Sequence, residues 1–201
     1  MPGTLPTPPS MRVWPRWFNA QECGGGSTKM SKFRPEGITT SITPMNIEGT
    51  ECVANLFSIF HDGSISHANM VNGNLVLEVG IRYLAQRINP SFKKFILCLY
   101  NIRGVRFSTW PSNSEMQPSE IIDTSLIFRP ELKILEGNPI GGSIQVICNV
   151  SSKDCDYSGG ELYFQADFAH VTDEAGRPYS FSELCSLSSD YWEEWSSRSQ
   201  A

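Results

Sequence analysis

Asn72-Gly73-Asn74-Leu75-Val76-Leu77-Glu78-Val79-Gly80-Ile81, residues 72–81, decide the fold class. Asn-Gly suits the two consecutive positive φ angles of a tight hairpin turn. Beyond it, Leu75, Leu77, Val79 and Ile81 point one way, and Val76, Glu78 and Arg82 the other. That alternation has the period of a half-buried strand. Downstream, Asn89-Pro90 breaks the chain and Phe95-Ile96-Leu97-Cys98-Leu99-Tyr100 reads as a more buried strand. Val105, Phe107 and Thr109 continue the sheet after Gly104. Trp110 to Glu120 is a long polar loop, of a length that is usually functional or disordered. Ile121–Phe128, Leu132–Leu135, Ser143–Val150 and Leu162–Val171 are further strand candidates. Gly137, Gly141-Gly142 and Gly159-Gly160 mark the turns between them.

Helices are expected at both ends of this sheet. Ile38-Thr39-Thr40-Ser41-Ile42-Thr43 alternates as a strand, and Gly49-Thr50-Glu51 then opens a helix with Thr50 as its cap. Val53, Leu56, Phe57 and Phe60 fall at i, i+3, i+4 and i+7 on one stripe, and Asp62-Gly63 stops it. Near the end, Ser180-Phe181-Ser182-Glu183 fits a capping box. Phe181, Leu184, Cys185 and Leu187 give that helix a short apolar face. The expected fold is α+β: an antiparallel sheet packed with an early helix and a short C-terminal helix, preceded by a flexible Pro/Gly-rich arm. The divisions are residues 1–37 (basic, aromatic arm), 38–188 (globular domain) and 189–201 (acidic, aromatic tail).

The chain has 201 residues, 40% of them hydrophobic and 18% charged, which suits one folded domain with a tail. No run approaches the ~18 apolar residues of a membrane-crossing helix. The net charge of −5 hides a segregated layout. Residues 1–34 carry five bases against one acid, net +4; residues 154–201 carry two bases against ten acids, net −8. Between them, residues 35–153 are close to neutral, at nine bases and ten acids.

Six cysteines (Cys23, Cys52, Cys98, Cys148, Cys155, Cys185) are widely spaced, with no Cys-x-x-Cys pair to make a zinc ribbon or redox site. Cys52, Cys98 and Cys148 lie in apolar runs and read as small core residues. The first residues lack an apolar signal region, so a reduced cytosolic or nuclear setting is expected. Asn149-Val150-Ser151 matches a glycosylation sequon, which that setting would leave unused.

The sequence offers almost no catalytic constellation. His61 and His67 flank Asp62, but six residues across a glycine do not place two imidazoles on one helical face. His170 with Cys148, Cys155 and Cys185 would form a nucleophile or zinc set only by an accident of folding. Gly24-Gly25-Gly26 opens no strand-to-helix phosphate loop, and no Gly-x-Ser-x-Gly exists. The expectation is no enzyme, no catalytic residue, no metal and no cofactor.

Two binding features remain. Pro6-Thr7-Pro8-Pro9 fits the Pro-Thr-x-Pro pattern, in which prolines pre-organise an extended ligand for a groove. Viral structural proteins use such tetrapeptides to recruit the host ESCRT budding machinery; a plain spacer is the alternative. Arg12, Trp14, Arg16, Trp17, Phe18, Lys29, Lys32 and Arg34 combine bases with aromatics, as suits an anionic membrane surface. Nucleic acid is the other polyanion such a segment would attract. The same cluster could instead dock on the globular domain. An acidic tail meeting the basic arm of another copy would give head-to-tail assembly.

The order of elements resembles that of rhabdovirus matrix proteins. The similar run is Ile38–Thr43 (strand), Glu51–His61 (helix), Leu75–Arg87 and Phe95–Tyr100 (strands), then the Trp110–Glu120 loop. Arg129-Pro130-Glu131 follows, before Gly141-Gly142-Ser143-Ile144-Gln145-Val146-Ile147. The likeness spans roughly residues 35–170 and lies in pattern rather than in fixed motifs. It implies a non-enzymatic structural protein of the virion that binds the inner membrane leaflet, self-associates, condenses the nucleocapsid and promotes budding. The implied partners are anionic membrane, viral nucleocapsid and glycoprotein, host ESCRT machinery and further copies of the chain. The implied locations are the virion, the host cytoplasm, the inner face of the plasma membrane and the nucleus. The competing expectation is a plant-virus movement protein that binds single-stranded RNA. For that reading, Arg82, Arg87, Lys93, Lys94, Arg103 and Arg106 cluster within 25 positions.

Overall fold

The computed structural model describes residues 45–113 and 115–198. The arm with its tetrapeptide and aromatic bases, and the strand expected over 38–43, lie outside these residues. In chain order the elements are β1 (Ile47–Glu48), α1 (Thr50–Ile59), β2 (Ser64–Val71), β3 (Asn74–Gly80), α2 (Arg82–Ile88), β4 (Lys94–Tyr100), β5 (Arg103–Pro111) and β6 (Glu120–Ile121). They continue with α3 (Thr124–Ile127), β7 (Leu132–Ile140), β8 (Ser143–Val150), β9 (Tyr157–Gln165), β10 (Phe168–Asp173), β11 (Pro178–Tyr179) and α4 (Phe181–Arg198). The strands form one antiparallel sheet in the order β1-β10-β4-β3-β2-β7-β8-β9-β5-β6, with β11 also on β10. The α+β class, with an early and a C-terminal helix, is therefore the observed one.

Only two residue pairs, Ser64–Lys133 and Ile65–Leu132, join β2 to β7. That seam divides the sheet into β1-β10-β4-β3-β2 and β7-β8-β9-β5-β6. Helix α1 spans it. Phe57 meets Phe164 of β9 edge-on at 5.7 Å, and Phe60, just past the helix, stacks on Phe95 of β4 at 5.4 Å. Val53, Leu56, Phe57 and Phe60 are fully buried, so the stripe read from their spacing is the centre of the core. Aromatic pairs of this kind add roughly 0.5–1.5 kcal/mol beyond the area they bury.

The helix sits directly on β7 at Gly137. A Cβ there would lie 2.1 Å from the Ala54 carbonyl oxygen and 2.8 Å from Phe57 Cβ. Ser58 Oγ donates to the Gly137 carbonyl at 3.1 Å and accepts from the Gly137 N–H at 3.0 Å. Gly137 was expected to mark a turn; it is the close-approach point of a nine-residue strand.

The Asn72-Gly73 hairpin joins β2 to β3, both residues at positive φ (52° and 77°). Other boundaries moved for local reasons. Gly49 holds the N-cap position of α1 at φ 88° with no side-chain cap, so Thr50 is the first helical residue and not the cap. The strand expected to reach Arg87 ends at Gly80, and Arg82–Ile88 is helical. Leu84 and Ala85 turn inward there, and Pro90, two residues beyond, cannot continue the helix. Of the strand expected over 121–128 only Ile121 is extended, as the second residue of β6. Asp123 then caps α3, its carboxylate accepting from Ser125 N–H at 2.8 Å. The stretch 162–171 is two strands, β9 and β10, parted at Asp167, which accepts from Asn101 and Arg103 at 2.9 and 2.8 Å. Helix α4 runs to Arg198, so residues 189–198 are the second half of a helix that is longer than expected.

A methyl group at Gly137 has nowhere to go, because the atoms it meets are the Ala54 carbonyl and the Cβ of Phe57, both fixed by the helix. Gly137→Ala is expected to lower unfolding free energy by about 2–3 kcal/mol through overpacking. Urea unfolding followed by circular dichroism reads this directly, and an unchanged midpoint would refute it.

Candidate functional site

The acidic, aromatic end of the chain is built into the domain through α4. The capping box starts that helix: Ser180 N–H and Oγ donate to the Glu183 carboxylate at 2.8 and 2.9 Å, and Glu183 N–H returns to Ser180 Oγ at 3.2 Å. Arg177 adds an ion pair to Glu183 at 3.0 Å. These backbone and hydroxyl donors, then the arginine, hold the Glu183 carboxyl below the usual glutamate range. Upstream, the buried Asp173 carboxylate accepts from Ala175 N–H, Arg177 N–H and Tyr179 O–H at 2.9, 3.0 and 3.0 Å, which fixes the turn that leads into the helix. Leu184, Cys185 and Ser188 are buried, and α4 packs on α1.

The second half of α4 lies on α2. Tyr83 packs against Tyr191 at 4.3 Å and edge-on to Trp192 at 5.9 Å; Trp192 meets Trp195 at 5.9 Å. The Tyr83 hydroxyl donates to the His61 carbonyl at 2.6 Å, and burial, then Asp62, pushes its phenol well above the ordinary range. Arg87 bonds Glu194 at 2.6 Å, and Arg198 reaches the same carboxylate at 3.6 Å. Arg87 holds the Glu194 carboxyl below its usual range. Asp190 and Glu193 make no ion pair among the described residues. An open groove of about 330 Å³ is lined by Tyr83 and Arg87 of α2 and by Tyr191, Glu194 and Trp195 of α4. Trp195 is 56% exposed. The site therefore sets aromatic rings beside the carboxylates of Asp190 and Glu193, neither of which closes an ion pair within 4 Å among the described residues, although Asp190 lies in the field of Arg87.

The other sequence candidates are dispersed. His61 places Nδ1 2.5 Å from the Leu135 carbonyl and Nε2 3.3 Å from Asp62. His67 lies on β2 opposite Glu78. Among the described residues no group of three or more His, Cys, Asp or Glu side chains could hold a metal. His170 pairs across the ladder with Cys98, while Cys148 is on β8, Cys155 precedes β9 and Cys185 is on α4. Burial pushes the Cys148 and Cys185 thiols up to about 12 and about 11, so both are protonated at neutral pH and poorly nucleophilic.

Of the six clustered bases, four are held by carboxylates: Arg87 by Glu194, Lys94 by Glu78, Arg103 by Asp167 and Arg106 by Glu120. Arg106 also lies over the Tyr163 ring at 4.9 Å. Sequence proximity counted the charges and missed these acids, which come from elsewhere in the chain. Sequence reading likewise saw the rings at Tyr191, Trp192 and Trp195 but not their seat. Tyr83, the residue that holds them, stood inside a stretch read as strand.

No described helix is long and apolar enough to cross a membrane. Compared with protein-family profiles, curated proteins and solved structures, the chain matches none.

The lowered Glu183 carboxyl gives the capping box a pH signature. A carboxylate held low in the folded state adds stability that is complete above the ordinary glutamate range and is lost as pH falls through the lowered value. Glu183→Gln is therefore expected to reduce thermal stability at pH 7, with the difference from wild type shrinking progressively below about pH 4.5. A difference that is the same at pH 7 and pH 3 would refute the assignment.

Proposed function

We propose that this chain is a viral matrix-type structural protein. It binds anionic membrane through its basic, aromatic N-terminal segment and assembles with further copies of itself. The observation that carries the reading is charge segregation: net +4 over residues 1–34 and net −8 over residues 154–201. The acidic share includes Asp190 and Glu193, presented beside Trp195 on a helix anchored by Arg87 and Tyr83. Opposite charges concentrated at the two ends favour contacts between copies, and they leave the basic end able to meet lipid headgroups. The order of elements read from the sequence, which resembles that of rhabdovirus matrix proteins, supports the same reading apart from Arg82–Ile88, which is helical and not strand. Nucleocapsid condensation, budding through Pro6-Thr7-Pro8-Pro9 and residence in the virion are proposed on that resemblance.

The test is sedimentation with vesicles containing anionic lipid. Full-length protein is expected to co-sediment at low salt and to be released as salt is raised, since screening shortens the reach of each charge. Removing residues 1–34 should reduce binding at least tenfold. Full-length protein that ignores such vesicles at low salt would refute the proposal.

A further inference from the structure

Among the described residues β2 carries an open edge. It pairs with β3 from end to end, but with β7 only at Ser64 and Ile65. Two local features open it. Ser66 is the extra residue of a bulge between Ile65 and His67. Continuing the β7 register would place Pro130 opposite His67, and proline has neither the N–H nor the φ for a ladder. Nothing else among the described residues makes a main-chain hydrogen bond to residues 66–71 from this side.

The hairpin fixes which groups face outward. A two-residue turn makes Val71–Asn74 a hydrogen-bonded pair. Pairs alternate along an antiparallel ladder. Asn69 and His67 therefore also turn their main-chain groups to β3, and Ala68 and Met70 turn theirs outward. Edges of this length are normally blunted by lysine, proline or an inward charge. Residues 64–71, Ser-Ile-Ser-His-Ala-Asn-Met-Val, carry no Lys, Arg, Asp, Glu or Pro. Met70 and Val71 are 42% and 44% exposed.

We propose that this edge pairs antiparallel with β2 of a second copy about a twofold axis through Asn69. In that register Ala68 of each copy faces Met70 of the other as a hydrogen-bonded pair. All four outward N–H groups and four outward carbonyls of Ala68 and Met70 are then satisfied. The long Met70 side chain covers the space beside Ala68, which packs on the core. The uncharged segment meets its own copy without like-charge repulsion, and the isologous geometry closes at two. The two Asn69 residues form the non-hydrogen-bonded pair at the centre, with Cα atoms about 4.5 Å apart. The pairing deepens the self-association reading by adding a contact made by main chain rather than by charge.

The test uses full-length protein at about 1 M salt, where attraction between the charged ends is screened. Sedimentation equilibrium is expected to give twice the 22.4 kDa chain mass. Met70→Pro removes an outward N–H, the edge position where proline is tolerated, and should halve the mass while leaving the circular-dichroism spectrum folded. Asn69→Cys should form an intermolecular disulfide under mild oxidation that wild type does not form, because the central Cα spacing suits one. A 22.4 kDa species at high salt overturns the pairing, as does a dimer that survives Met70→Pro or fails to cross-link through residue 69. If Met70→Pro does not fold, the cross-link decides. Vesicle binding by a monomer overturns this pairing alone; a dimer that ignores vesicles overturns the matrix reading alone.

Discussion

The contact on which the rest of the structure depends is α1 resting on the bare backbone of β7 at Gly137. The sheet alone does not hold its two parts together, because β2 and β7 share only two residue pairs. The helix does, by sending Phe57 to β9 and lying beside Phe60, which reaches β4. That closeness requires a position without a side chain, and the Ser58 hydroxyl then replaces side-chain packing with two hydrogen bonds to the strand. Helix α1 also packs on α4, whose Tyr191 and Trp192 lie against Tyr83 of α2.

Surface charge is organised differently in the two regions compared. On the sheet and its turns, bases and acids from distant parts of the chain are matched, as in Lys94–Glu78 and Arg103–Asp167. Such exposed pairs contribute roughly 0–1 kcal/mol each to stability. Their larger effect is on the field, since a base beside a carboxylate attracts a polyanion weakly. At the end of α4 the matching is incomplete: among the described residues Glu194 forms ion pairs with two arginines, while Asp190 and Glu193 form none, Asp190 feeling Arg87 only at longer range. A surplus of negative charge thus sits next to the most exposed tryptophan among the described residues.

The fold class was legible because the signals that set it are local. Alternation at Leu75–Ile81, the Asn72-Gly73 turn, the stripe on α1 and the Ser180–Glu183 box are each read from a few neighbouring residues, and each formed. What was misread depended on contacts distant in sequence. Gly137 resembles a turn residue until a helix from 80 residues earlier is laid upon it. Arg82–Ile88 continues an alternating stretch without a visible break, and its helical state rests on Leu84 and Ala85 turning into the core. Residues 189–198 looked like a polar tail because Tyr191 and Trp192 find their apolar neighbour, Tyr83, only in three dimensions. The candidate site was thus half legible: its chemistry lay in the sequence, and its rigidity did not.

The seam between β2 and β7 also bears on how the chain is assembled as it is made. Strands β5 to β9 occupy one uninterrupted stretch, Arg103–Gln165, and neighbour one another in the sheet, so that half is complete once Gln165 has emerged. The other half begins earlier and finishes later. β4, which precedes β5, keeps one whole edge unpaired until β10 arrives, and β1 has no partner before then. The first strand synthesised, β1, and the outer edge of β4 therefore wait longest for their partner. A nascent chain carries the exposed edge of Phe95–Tyr100 from the completion of β4 until Phe168–Asp173 is made, which makes β10 a latch as well as a strand.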